Sequence, residues 1–220
     1  MEGPPLRLAH HPAGCARIRT PTAADPLRVL VSGCITGLPC GVDGTHYGMG
    51  GCLADLLSLP TVHVVPFCPE THSLGIPRNM PDIHGGDGFD VLEGRARVLD
   101  QHGADLTRQM VEGAAAMLAV AQRHRVELAI LTDMSAACGS QVISDGCRFD
   151  APRRYRAGVG VAAATLRRAG IPVLSQRDKR SLGLLHARLD PSFTPDPAAF
   201  DHHESEWYRT YFGAGGAALP

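Results

Sequence analysis

A chain of 220 residues with a formal net charge of −1 gives no electrostatic reason to expect a nucleic-acid backbone as partner. Its 44% hydrophobic content can fill a core, while no apolar run reaches the ~18–20 residues that a bilayer span requires. The first residues lack the uninterrupted apolar segment of a secretory signal, so a cytoplasmic protein without membrane partners is expected.

Residues 1–25 are rich in Pro, Ala and Arg without a hydrophobic period, and read as a disordered arm in which His10 and His11 are solvated. The first element follows in LRVLVSGCITGLPCGVDG, residues 27–44. There the apolar run Val29-Leu30-Val31 breaks at Ser32-Gly33-Cys34, as a short buried strand does before a turn. A glycine-rich loop then carries Cys40 and closes on Asp43-Gly44. Residues 48–58 have the spacing of a short helix weakened by its glycines, with Cys52 as packing. A second strand at 62–67 runs into Cys68-Pro69-Glu70. Residues 71–84, with Pro77, Arg78 and Pro81, read as a long irregular loop. Residues 88–101 alternate about Glu93-Gly94 like a β-hairpin standing off the main sheet.

Leu106, Met110, Ala114, Met117 and Leu118 recur at helical spacing over 105–125, a stripe that fits core packing better than a cofactor box. A third strand covers 128–132, and residues 133–157 read as irregular, holding Ser135, Cys138 and Cys147. An alanine-rich helix at 158–169 ends at Gly170, a last strand covers 171–175, and a helix covers 179–190. A proline-rich linker at 191–197 precedes an amphipathic segment at 198–211 that contains the only Trp. Strands alternating with helices predict an α/β fold on a mostly parallel sheet. The expected division is an arm at 1–25, an α/β domain at 26–178 and a helical extension at 179–220.

Seven cysteines are many for a reducing compartment and too sparse for a disulfide scaffold, so metal binding or catalysis is the reading they favour. Cys34, Cys68 and Cys138 each follow a predicted strand, and open parallel sheets bind ligands past the carboxyl ends of their strands. Cys15, Cys52 and Cys147 are expected to be inert. No CxxC pair is present, which disfavours a zinc ribbon. Spacing alone leaves zinc, an iron–sulfur cluster and a lone nucleophilic thiol open.

VSGCITGLPCGVDG, VVPFCPE, GIPR, GGDGFDVLEGRARVLDQHGADLT, the SAACG segment and GVGVAAATLRRAGIPVLS, in that order, resemble the family typified by thiouracil desulfidase. The similarity runs over about residues 27–176, and the ordered set is far more specific than any one motif. It implies a Rossmann-like fold, a 4Fe–4S cluster held by three cysteines, and hydrolytic removal of sulfur from a thiolated pyrimidine. The family's first-strand cysteine falls on Cys34, that of its CPE motif on Cys68, and that of its SPSCG motif on Cys138. Cys40 matches the cysteine that commonly precedes the Asp-Gly turn, and its status as a ligand is open. The chain departs from the family at Ser135-Ala136-Ala137-Cys138-Gly139, at Gly33 within VSGC, and at Thr132-Asp133, where a lysine or arginine is common.

Within that resemblance Glu70 is the candidate acceptor of water's proton, with capping of the next turn as the plain alternative. Ser135 is expected either to hydrogen-bond the heterocycle or the cluster sulfurs, or simply to shape a turn. Asp43 and Arg78 are weaker candidates, the first suited to its turn and the second to pairing with a carboxylate. Free base, nucleoside and thiolated tRNA nucleotide all remain as substrate forms, and the oligomeric state is unspecified. Two other functions compete: a non-catalytic iron–sulfur or zinc module for redox sensing or cluster carriage, and a metal-free small-molecule binder.

Overall fold

The computed structural model describes residues 18–213. In chain order its strands are β1 (Leu27–Ser32), β2 (Val62–Phe67), β3 (Asp82–His84), β4 (Arg97–Leu99), β5 (Leu128–Leu131), β6 (Val142–Ser144), β7 (Tyr155–Ala157) and β8 (Val173–Ser175). The helices are α1 (Ala54–Leu57), α2 (Pro69–Leu74), α3 (Gly88–Leu92), α4 (Thr107–Arg123), α5 (Val161–Arg168), α6 (Lys179–Leu189) and α7 (Glu206–Phe212). A 3₁₀ turn at His202–Glu204 precedes α7. Among the described residues no helix is long and apolar enough to cross a membrane.

Four strands form a parallel sheet in the order β2-β1-β5-β8, with Leu27 opposite Val62 and Val29 opposite Leu128. From β1 the chain steps outward to β2, then returns past β1 to β5 on the other side. Connections thus diverge at β1, which opens a crevice above the strand ends. Side chains on β1 alternate between two cores, as the period of a strand requires. Leu30 joins Met110 and Met117 of α4 and Leu166 of α5 on one face. Val29 and Val31 join Leu182, Leu185 and Leu189 of α6 on the other. The extension expected after residue 178 therefore begins with a helix that covers the main sheet. α2 lies against α4 at Gly113, where an added Cβ would sit 2.4 Å from the Pro69 carbonyl oxygen.

Several local expectations are corrected. Residues 88–101 are no hairpin: the first half is α3, and only Arg97–Leu99 is a strand, antiparallel to β3. The signal for α3 is its capping box. Asp87 accepts the amides of Phe89 and Asp90, while Asp90 accepts that of Asp87. The stretch 71–84 contains most of α2, started by Pro69 in the first turn, and then β3. Residues 133–157 include the antiparallel pair β6 and β7, and the helix expected over 48–58 shrinks to Ala54–Leu57.

Of the arm expected at 1–25, residues 18–25 are described, and Ile18, Arg19 and Pro21 within them pack against the domain. Ile18 is 4% exposed in the core beneath α6, and Arg19 Nε donates to Glu127 Oε1 at 2.6 Å. His10, His11 and Cys15 lie outside the described residues. Burying an isoleucine side chain stabilises by ~2 kcal/mol. In a protein of this size that corresponds to a melting temperature ~4–8 °C higher. A chain that starts at Pro26 should melt lower by that amount in a thermal scan, and an unchanged midpoint would show that Ile18 contributes nothing.

Candidate functional site

Loops leaving the neighbouring strands β2, β1 and β5 meet at one cleft. Cys34, Cys40, Cys68 and Cys138 all line it, together with Glu70 and Ser135. Each thiol is placed by local chemistry. β1 ends at Ser32, and Ser32 Oγ accepts the Thr132 amide at 3.0 Å, tying the ends of β1 and β5 together. Thr132 Oγ1 in turn lies 2.9 Å from Cys34 Sγ. Gly33 makes room between them: a Cβ there would stand 3.2 Å from Cys40 Sγ and 3.5 Å from Cys68 Cβ. Cys68 is the N-cap of α2, its sulfur accepting from the Thr71 amide at 3.4 Å.

The thiols are electrostatically unequal. Hydrogen bonding shared with the Cys34 and Cys68 thiols, and then burial, hold the Cys40 proton far more tightly than usual. Those hydrogen bonds pull Cys34 below the ordinary thiol range and bring Cys68 down to about 6, against the desolvation that raises both. Cys138 moves the other way, pushed up by burial and then by the charge of Cys68. Thiolate is the metal-binding form, and of the four thiols Cys68 is the one brought into that form at neutral pH.

The carboxylate is held from two sides. Arg78 Nη2 donates to Glu70 Oε2 at 2.9 Å, with the side chains only 5% and 13% exposed. Ser135 Oγ donates to Glu70 Oε1 at 3.1 Å. The same hydroxyl accepts the amides of Ala137 and Cys138 at 3.2 and 3.1 Å, so Ser135 shapes the turn and contacts the carboxylate at once. Arg78 also donates to the Cys40 carbonyl at 2.9 Å, which fastens the loop carrying Cys40 to α2. Its Nε is buried without a partner among the described residues.

Asp43 is not brought to the cleft. It is exposed and accepts the Thr45 amide and hydroxyl at 2.9 and 2.8 Å, and these bonds hold its carboxyl below the usual range. Cys52 is exposed and Cys147 half-buried, both outside the cleft lining. Sequence reasoning missed Tyr47, which edges the cleft with a left-handed φ of 53° and an Oη that accepts the Val42 amide at 2.6 Å. A bulky residue in that region is strained by ~1–3 kcal/mol and marks a candidate functional position. No pattern of residue types announces it.

Among the described residues, no three Cys, His, Asp or Glu side chains close around a point as a lone metal ion requires. The thiols instead surround a cleft, and soft sulfur donors around such a space suit an iron–sulfur cluster. A parallel sheet that delivers strand-following thiols and a braced carboxylate to its switch point defines an α/β protein with a cysteine-built site. The model of the 2-thiouracil desulfurase family matches residues 29–178, and the chain belongs to that family. It is 35% identical over 151 residues to the uncharacterized protein YbbK of Bacillus subtilis (strain 168), covering 68% of this chain and 96% of that one. Among solved structures it resembles the [4Fe-4S]-dependent thiouracil desulfidase TudS, with a TM-score of 0.59 and 30% identity over 72% of this chain and 97% of the other.

Proposed function

We propose that this protein is a 4Fe–4S-dependent desulfidase that removes sulfur hydrolytically from a thiolated pyrimidine. The reaction is balanced without electron transfer: a thiocarbonyl and water give a carbonyl and hydrogen sulfide. The observation that carries the reading is the meeting of Cys34, Cys68 and Cys138 with the Glu70–Arg78 pair in one cleft. Family membership and the likeness to TudS support it. Three thiolates would hold the cluster, Cys40 standing beside them as a hydrogen-bond donor. When bound, the cluster supplies a soft Lewis acid for the exocyclic sulfur, provided one iron lacks a protein ligand.

The remaining work falls to the chain. Arg78 fixes Glu70 Oε2, which leaves Oε1, contacted by Ser135 alone among the bonds described, to take the proton of the attacking water. The Ser135 hydroxyl can turn from the carboxylate to the heterocycle without losing the two backbone amides it accepts. Tyr47 gives the mouth an aromatic wall suited to a planar ring.

Anaerobic reconstitution followed by assay of sulfide and oxo-pyrimidine from 2-thiouracil and its nucleoside tests the proposal. Turnover should scale with bound iron and stop on exposure to air. A fully loaded protein that releases no sulfide from any thiolated pyrimidine would instead point to redox sensing or cluster carriage.

A further inference from the structure

The loop carrying Ser135 and Cys138 is held from behind by chain that the family match does not reach. Asp133, two residues past β5, has a fully buried carboxylate. Its Oδ1 accepts the amides of Met134, Ser140, Gln141 and Val142 at 3.1, 2.9, 3.1 and 3.2 Å. One oxygen thus closes residues 133–142 into a ring, with Cys138 on its far side. Oδ2 accepts from Ser175 Oγ at 3.3 Å and from His202 Nδ1 at 2.7 Å. Burial alone would raise the Asp133 carboxyl, but His202 and the backbone donors outweigh it and leave it lowered. An ionised carboxylate only accepts, so Nδ1 carries the proton in this pair.

His202 is itself well placed. Its amide donates to Asp178 Oδ1 at 3.1 Å, and its ring stacks on Trp207 with centroids 5.8 Å apart. α7 then grips the far end of the same loop. The Tyr155 amide donates to Tyr211 Oη at 2.8 Å, and Trp207 meets the Tyr155 ring edge-on at 5.3 Å. Tyr155 opens β7, whose partner β6 begins at Val142, where the ring closed by Asp133 ends. Segment 201–212 therefore holds the loop at its base and at its outer hairpin.

We infer that His202 is a positioning residue, setting Cys138 and Ser135 in the cleft through the Asp133 carboxylate. This rests on Cys138 being a cluster ligand. The pairing goes beyond the matched region, because His202 lies 24 residues past its end at residue 178. Without His202, the buried charge retains the backbone donors, the Ser175 hydroxyl and the field of Arg167, whose Nη2 is committed to the Ser140 carbonyl at 2.7 Å. The loop should then open more often.

The test uses anaerobically reconstituted protein and three variants: His202→Ala, His202→Asn and, as a control in α6, Leu182→Ala. Hydrogen exchange of residues 134–142 and the rate of iron loss to a chelator are read alongside melting temperature. His202→Ala should speed both ~10–100-fold, the usual worth of a hydrogen bond to a charged group. His202→Asn, which restores an N–H to the carboxylate, should recover most of the loss. Leu182→Ala should lower the melting temperature with little change at 134–142. Equal loop exchange in His202→Ala and Leu182→Ala would overturn the inference. Full iron content in Cys138→Ser would remove the ligand assignment instead, and the exchange data would still judge the brace.

Discussion

Serine at Cys34, Cys68 or Cys138 should yield a folded protein that leaves anaerobic reconstitution with iron and sulfide near background. A serine hydroxyl matches the thiol in size but is a hard donor that stays protonated near neutral pH, so it cannot replace a soft thiolate. The fold should survive because serine keeps nearly the shape of cysteine: Cys138 and Cys34 are each one small member of a core whose bulk comes from strand residues and from α4, α5 and α6. Circular dichroism and melting temperature should therefore stay close to the parent. Cys40→Ser should retain iron, since a serine hydroxyl can still donate to the neighbouring sulfurs. Cys52→Ser and Cys147→Ser should be indistinguishable from the parent. Full cluster content in any of the first three variants would refute the ligand assignment.

Glu70→Gln should slow the chemical step by ~10²–10⁴ at unchanged iron content, the usual contribution of a positioned acid–base group. The amide keeps the shape of the side chain and can still accept from Ser135, but it cannot take water's proton. Arg78 loses its carboxylate yet keeps the carbonyls of Cys40 and Gly75, at 2.9 and 3.1 Å. Breaking a nearly buried pair lowers stability, so the rate must be normalised to iron and measured well below the melting transition. A normalised rate equal to the parent's would reduce Glu70 to a brace for α2.

Much of this architecture was legible in the residues. β1, β2 and β5 are short, mostly apolar runs, followed by Gly33, by Cys68-Pro69 and by Thr132-Asp133, and α4 shows its buried stripe of Met110, Ala114 and Met117. Because three thiols each follow such a run, their meeting at one edge could be read before any contact was known. The family resemblance, carried by ordered motifs, agrees with the matched span 29–178. α2 and α3 were missed since helices of six and five residues are too short to show a period. Their starts are marked by caps, which alternating residues such as Phe89 and Val91 obscured. The Glu70–Arg78 pair needed the turn between α2 and β3, and the left-handed backbone at Tyr47 has no signature in residue type. Asp133 and His202, separated by 69 residues, are joined only by tertiary packing.

The site gathers its parts from distant points along the polypeptide, and that spacing sets a timetable for synthesis. Cys138 is made 70 residues after Cys68, and His202 a further 64 residues later. At roughly 5–20 residues per second, a ribosome exposes the earlier thiols roughly 4–14 s before the third one exists. If Cys34, Cys68 and Cys138 hold the cluster as proposed, its delivery must wait until Cys138 has left the ribosome. In the interval Cys34, Cys40 and Cys68 form an incomplete set, the stage at which a nascent chain is most exposed to oxidants.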